Sequence, residues 1–270
     1  MKDKFSKQQF SELLKKFVQS LSSYVSTPDG QWTIKGFIDI YRNIYTISTD
    51  TKIVSKVLEL HILPQLVQFA NSNGFKIELA SQQNYYPDLT FVYKKNPQII
   101  FAVDLKTSYR RVADPQMCNG FTLGSHGEYF CDRSSTKYIQ YPYAKYSGHF
   151  CLGIIYDRIE NNNPQIETVS GTLDKLEQIT SVIKNFQFFA EEKWKIASDK
   201  SGSGNTANIG SIKKIDDIIA GRGVFVPYGE EIFDDYWMNF GKISVTDKNG
   251  KTKKLTSLKE YLRYRGIEKK

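Results

Sequence analysis

Two apolar runs, DLTFVYK starting at Asp88 and IIFAVDLK ending at Lys106, stand on either side of Lys95-Asn96-Pro97-Gln98. Asn and Pro in a short polar break are turn chemistry, and flanking runs rich in Val, Ile, Phe and Tyr are strand chemistry, so the segment reads as a β-hairpin. Side chains alternate between the faces of a strand, so Asp104 and Lys106, two apart, project from the same face. Asp88 follows Pro87 and opens the first strand, and the fold-back can bring two carboxylates and an ammonium together. Hard oxygen ligands of this kind suit Mg²⁺, which keeps several waters and is usually held by one or two carboxylates plus phosphate oxygens. The alternative is a set of surface charges at strand ends.

A chain of 270 residues can bury one large core or two small ones. Cys118, Cys131 and Cys151 have neither paired spacing nor histidines at zinc-ligand intervals, which implies free thiols in a reducing compartment and no zinc site. The polar start MKDKFSKQQF has no apolar signal region and no run approaches a membrane-spanning length, so a cytoplasmic protein without membrane contact is expected. The formal charge is +8, and residues 242–270 hold ten Lys or Arg against three Asp or Glu. A basic C-terminal segment beside a metal-phosphate site suggests a polyanion such as DNA. A solvated, partly mobile tail is the alternative.

Apolar residues at helical intervals predict a helix over 5–25, and short strands follow between Gly30 and Tyr45. A second helix starts after Ser48-Thr49-Asp50 and stops at Asn73-Gly74, with Pro64 a candidate kink or interruption. Strands are expected at 75–79, 88–94 and 99–106, then loop to 120, then strands at 150–159 and 186–197. An exposed loop at 201–211 and short helices at 212–220, 230–240 and 256–265 complete the chain. With no internal repeat or linker, the expected fold is a single α+β domain over 1–270 around a mixed sheet.

On the second helix Glu59 shares a stripe with Leu63, Leu66 and Ala70, and a carboxylate on an apolar stripe needs a partner or a metal. Lys52, two turns earlier, could be that partner. Gln82-Gln83-Asn84 precedes the Asp88 motif and offers amides that donate and accept, as base edges require. The loop Ser201-Gly202-Ser203-Gly204-Asn205-Thr206-Ala207-Asn208 has the same chemistry with more backbone freedom. No Gly-Lys-Ser/Thr and no dinucleotide fingerprint is present, so no nucleotide cofactor is expected.

QQNYYPD, AVDLKTSY, DTKIVSKVLEL, FTLG and SGSGNTANIGSI together resemble type II restriction endonucleases of the EcoRV family, in the PD-(D/E)xK nuclease superfamily, in patches over residues 45–240. The resemblance implies a restriction-endonuclease-like core with a mixed sheet of five or more strands flanked by helices. It also implies a homodimer, with its dimerisation region near the N-terminal half, that embraces palindromic double-stranded DNA. Asp88 and Asp104 are then the Mg²⁺-binding carboxylates, Lys106 the lysine that orients or helps deprotonate the attacking water, and Glu59 a helix carboxylate assisting the metal. Gly202, Ser203, Gly204, Asn205, Thr206 and Asn208 fall in the major-groove recognition loop, and Gln83 and Asn84 in the loop that tracks the minor groove and backbone. The implied reaction is Mg²⁺-dependent double-strand cleavage at GATATC, blunt at the central TA step, leaving 5′-phosphates.

The chain departs from the family pattern at Tyr85 where His is expected, Ser108 and Ala207 where Thr is expected, and Ser125-His126 where Gly-Tyr is expected. These positions bear on DNA bending and backbone contact rather than on the chemistry. Two competing readings are a repair or junction-resolving nuclease with a similar core, which would rely on shape and basic patches, and a DNA-binding protein that does not cleave. The last has no use for carboxylates that repel a phosphate until a cation intervenes.

Overall fold

Ser6 starts the first helix by a reciprocal cap: its Oγ accepts from Gln9 N at 3.1 Å, and Gln9 Oε1 accepts from Ser6 N at 2.9 Å. The computed structural model describes residues 4–82, 84–159, 170–171, 173–202, 207–246, 250 and 252–267. Helix α1 (Lys7–Val18) turns Phe10, Leu14 and Val18 into the core. The single helix expected over 5–25 is divided, because Ser20 Oγ donates to Phe17 O at 2.8 Å and closes the first piece before α2 (Leu21–Val25). Strands β1 (Gly36–Ile38) and β2 (Ile44–Thr46) form a small hairpin. Asp50 caps α3 (Thr51–Ser72) by accepting from Lys52 N and Ile53 N, and Gly74 ends it at φ +76°. Pro64 lies inside α3 without ending it.

Strands β3 (Phe75–Leu79), β4 (Leu89–Tyr93) and β5 (Ile100–Arg111) form an antiparallel meander that contains the expected hairpin. β5 is longer than the sequence suggested, and the stretch to 120 expected to be loop holds its end and β6 (Asp114–Cys118), which pairs back onto it. After β7 (Thr122–Ser125) and α4 (Glu128–Cys131) comes β8 (Gly148–Arg158), parallel to β5 from Phe101↔Gly148 to Tyr109↔Tyr156. β9 (Ser170–Gly171) pairs with β2, and β10 (Ile183–Glu192) pairs with β8. The result is a six-stranded mixed sheet of order β10-β8-β5-β4-β3 with β6 on β5.

The strand expected over 186–197 stops at Glu192, and one helical turn follows, α5 (Lys193–Ile196). That turn puts Lys195 Nζ 2.6 Å from Glu192 Oε1, an i,i+3 contact that an extended chain does not allow. The expected loop at 201–211 is likewise shorter. Strands β11 (Ala197–Ser201) and β12 (Asn208–Ser211) pair across it and continue onto β7 as a separate three-stranded sheet. The three short helices expected near the C-terminus are α6 (Ile215–Ile219), α7 (Glu230–Asn239) and α8 (Leu258–Arg265), with the hairpin β13 (Ser244–Thr246) and β14 (Thr252–Lys254) between the last two.

Alternation along β5 separates two cores. Phe101, Val103 and Leu105 pack with α1, α2 and α3 on one face; Ile100 and Ala102 pack with α4 to α8 on the other. Leu255, Leu258, Tyr261 and Leu262 are buried in the second core. The described part of the basic C-terminal segment is therefore folded against the domain, not a solvated tail.

Candidate active site

The site forms where two neighbouring strands stop running together. β4 pairs with β5 only as far as Leu89↔Val103, while β5 continues beside β8 through Tyr109. Asp104 and Lys106 lie just past the divergence, on the face of β5 away from α1 and α3, and Asp88 sits at the departing end of β4. Leu105 N donates to Asp88 Oδ2 at 2.7 Å and fixes that carboxylate against β5. Lys106 Nζ stands 2.7 Å from Asp104 Oδ2 and 3.6 Å from Asp88 Oδ2. The three groups thus share one cluster in the lining of a cleft of about 530 Å³.

Asp104 is buried and Asp88 is at the mouth. Burial pushes the Asp104 carboxyl up to about 7, against the pull of Lys106, and the nearby Asp88 charge adds to the rise. Burial also penalises the Lys106 ammonium, but Asp104 and Asp88 outweigh that cost and hold it above its ordinary value. Lys106 is therefore a charged donor wedged beside two acceptors, not a free base. Among the described residues no group of three His, Cys, Asp or Glu side chains is placed to hold a metal ion. Two carboxylates opening to solvent remain, a donor set that fits Mg²⁺, whose other positions are met by water and phosphate oxygen.

Asn84 and Asn208 line the same cleft as the acidic pair and the lysine. Gly202 N donates to Asn208 O at 2.8 Å, which places Gly202 at the base of the glycine-rich segment. Within that segment Gly210 has a necessary role, since a Cβ there would meet Lys200 O at 2.5 Å. Gln83, Ser203, Gly204, Asn205 and Thr206 lie outside the described residues. Glu59 is not brought to the cluster: on α3 its Oε1 is held by Lys56 Nζ at 2.7 Å, and it is not part of the cleft lining. Its partner is thus Lys56, not Lys52. Sequence reasoning passed over Tyr86, Gly124 and Tyr129, which also line the cleft. Position beside the Pro87-Asp88 and FTLG segments was the available signal.

A sequence model of the restriction endonuclease EcoRV family matches residues 28–266, a span that includes every described strand and the cleft lining. The chain belongs to the EcoRV restriction endonuclease family. The type II restriction enzyme EcoRV of Escherichia coli is 33% identical to it over 237 residues, covering 87% of this chain and 93% of that enzyme. For an EcoRV-family chain, the mixed sheet flanked by helices is the restriction-endonuclease fold. No helix among the described residues is long and apolar enough to cross a membrane.

Family membership sharpens what is expected of Glu59. Since it sits apart from Asp88 and Asp104, Glu59→Ala should slow single-turnover cleavage by less than alanine at either aspartate. A lower melting temperature with an unchanged rate would make Glu59 a structural residue paired to Lys56.

Proposed function

We propose that this chain is a Mg²⁺-dependent type II restriction endonuclease that cuts both strands of palindromic DNA, at the centre of GATATC, leaving blunt ends with 5′-phosphates. The observation that carries this reading is the convergence of Asp88, Asp104 and Lys106 in one cleft that Asn84 and Asn208 also line. Asp88 and Asp104 would hold Mg²⁺, while Glu59, paired with Lys56 on α3, stands outside the cleft lining. When bound, the ion supplies Lewis-acid polarisation of the scissile phosphate and of a water. Asp88, fixed by Leu105 N, keeps one carboxylate at the cleft mouth where a backbone phosphate arrives. Lys106, a donor, orients a water or a phosphate oxygen once the carboxylates' charge is taken up.

Specificity in this reading comes from the segment between β11 and β12, and Asn208 at the start of β12 lines the cleft. Asn205 pairs with adenine and Thr206 meets the thymine methyl, while Gln83 and Asn84 follow the minor groove and backbone. The central TA step is selected indirectly, because such steps unstack and kink at low cost.

A second copy of the chain would supply the other half-site. In support, Phe37, Ile38, Ile40 and Tyr41 are exposed around the β1–β2 hairpin, and α3 exposes Ile53, Leu60 and Val67 at seven-residue spacing. Apolar surface of that extent beside a sheet suits an interface. Sedimentation at a single chain mass with cognate duplex bound would remove the dimer. A reducing cytoplasm is the setting we assign, consistent with the free thiols of Cys118, Cys131 and Cys151. Digestion of duplex DNA with Mg²⁺, set against excess chelator, tests the chemistry: cutting is expected only with the ion, and full activity in chelator would contradict it.

The basic segment from residue 242 is proposed to contact backbone phosphates. Truncation after Gly241 would strip Leu255, Leu258, Tyr261 and Leu262 from the core, so charge removal is the cleaner test. Replacing Lys254, Lys259 and Arg263 by Gln should weaken binding to all duplexes alike. It should also flatten the plot of log affinity against log salt by about 0.9 for each phosphate no longer neutralised. An unaltered slope would assign the segment to stability and solubility.

A further inference from the structure

Behind the wall of the cleft lies a buried ammonium that the proposed chemistry does not use. Lys193 opens α5 and is 3% exposed, and its Nζ has no hydrogen-bond partner among the described residues. It faces the rings of Tyr86, Phe130 and Tyr143 at 5.2, 5.3 and 5.7 Å. Two of its neighbours belong to the cleft itself: Tyr86, and Gly124, where a Cβ would stand 3.4 Å from Lys193 Nζ and 3.4 Å from Tyr129 Oη. The thickness of one backbone at Gly124 therefore separates this charge from the space in front of Asp88 and Asp104.

A buried, unpartnered charge is costly unless an opposite charge lies near it. When both carboxylates are ionised, Asp88, Asp104 and Lys106 leave one negative charge uncompensated, and a charged Lys193 brings that local total to zero. The neighbouring Asp234 is already matched by Arg133 at 2.8 Å. Burial pulls the Lys193 ammonium below its ordinary value, and Asp104 is the largest influence opposing that fall.

We propose that Lys193 is a positioning cation of the active site, which balances the Asp88 and Asp104 carboxylates from behind the β7 wall and so sets how tightly they take a divalent cation. This rests on the assignment of those two aspartates as the metal-holding pair. With Lys193 in place, the negative charge that a divalent cation meets in the cleft is lower, at the expense of affinity. Removing its charge leaves the pair more negative, and divalent cations should then bind more tightly, by about three- to tenfold for a unit charge and a divalent ion roughly 6–12 Å apart through the water-like dielectric of an open cleft.

The test is Mn²⁺ uptake by the DNA-free protein, read from the electron paramagnetic signal of the free ion. Wild type, Asp104→Ala, Lys193→Met and Lys193→Gln are compared, and each is checked for a cooperative thermal transition. Methionine keeps the length and apolar contacts of lysine among the three rings, and glutamine keeps a donor. Uptake that depends on Asp104, and that tightens three- to tenfold in either folded Lys193 variant, is the expected result. A merely structural lysine would shift the melting temperature and leave Mn²⁺ affinity unchanged, which would overturn the proposal. So would loss of folding in both variants, which would make Lys193 a core-packing residue. Absence of any Asp104-dependent uptake in wild type would instead remove the metal-site assignment on which the proposal rests.

Discussion

Alanine at Asp104 is expected to abolish DNA cleavage, lowering the single-turnover rate by roughly 10³-fold or more, the scale seen when an electrostatic group is removed from a water-poor site. Asp104 is the deeper of the two carboxylates and the closer partner of Lys106, at 2.7 Å against 3.6 Å for Asp88. Its loss removes a proposed metal ligand and frees Lys106 at the same time. Asp88→Ala should be comparably inactive, because Asp88 is the other proposed ligand, fixed at the mouth by Leu105 N. Lys106→Ala should also be inactive while keeping its fold, since the side chain reaches the cleft and is not packed into either core. Rapid-quench assays on protein that retains a cooperative melt check all three. A Lys106→Ala enzyme with an unchanged rate would take lysine out of the mechanism, and an active Asp104→Ala enzyme would displace the cluster itself.

Asn205→Ala should separate recognition from binding. A bidentate amide contact to adenine discriminates by about 1–3 kcal/mol in each half-site, so cleavage of the cognate duplex should fall at least about tenfold. Binding to random DNA should change little, because phosphate contacts carry it. Cleavage on cognate DNA compared with binding to a scrambled duplex of equal length decides this. Equal losses on both would assign Asn205 to the backbone or to folding.

The hairpin that holds the acidic pair and lysine was legible because two local signals agreed: turn chemistry at 95–98, and strand alternation that fixes the shared face of Asp104 and Lys106. The α3 helix was legible from its cap and its glycine stop. What escaped depends on contacts distant in sequence. β6 and β7 are short and polar, and become strands only because β5 and β12 offer them edges to pair with. The helical turn at Lys193 interrupts an apolar run that alone reads as a continuing strand. Glu59 was placed on the right helix, but helix spacing does not report whether that helix face reaches the end of β4, and the structure pairs Glu59 with Lys56. The basic segment after residue 242 left a solvated tail open as an alternative because its charges outnumber its apolar residues, yet four of those apolar residues are buried. Lys193 carried no local signal at all, since only the packing of β7 and β10 sets it behind the cleft.

The most direct test of the account is digestion of a fully sequenced plasmid by the purified protein with Mg²⁺, followed by sequencing of every end. Blunt ends at each GATATC, cut at the central TA step and carrying 5′-phosphates, are the predicted result. Ends at a different palindrome, or staggered ends at GATATC, would contradict the target assignment, and intact plasmid would contradict the nuclease.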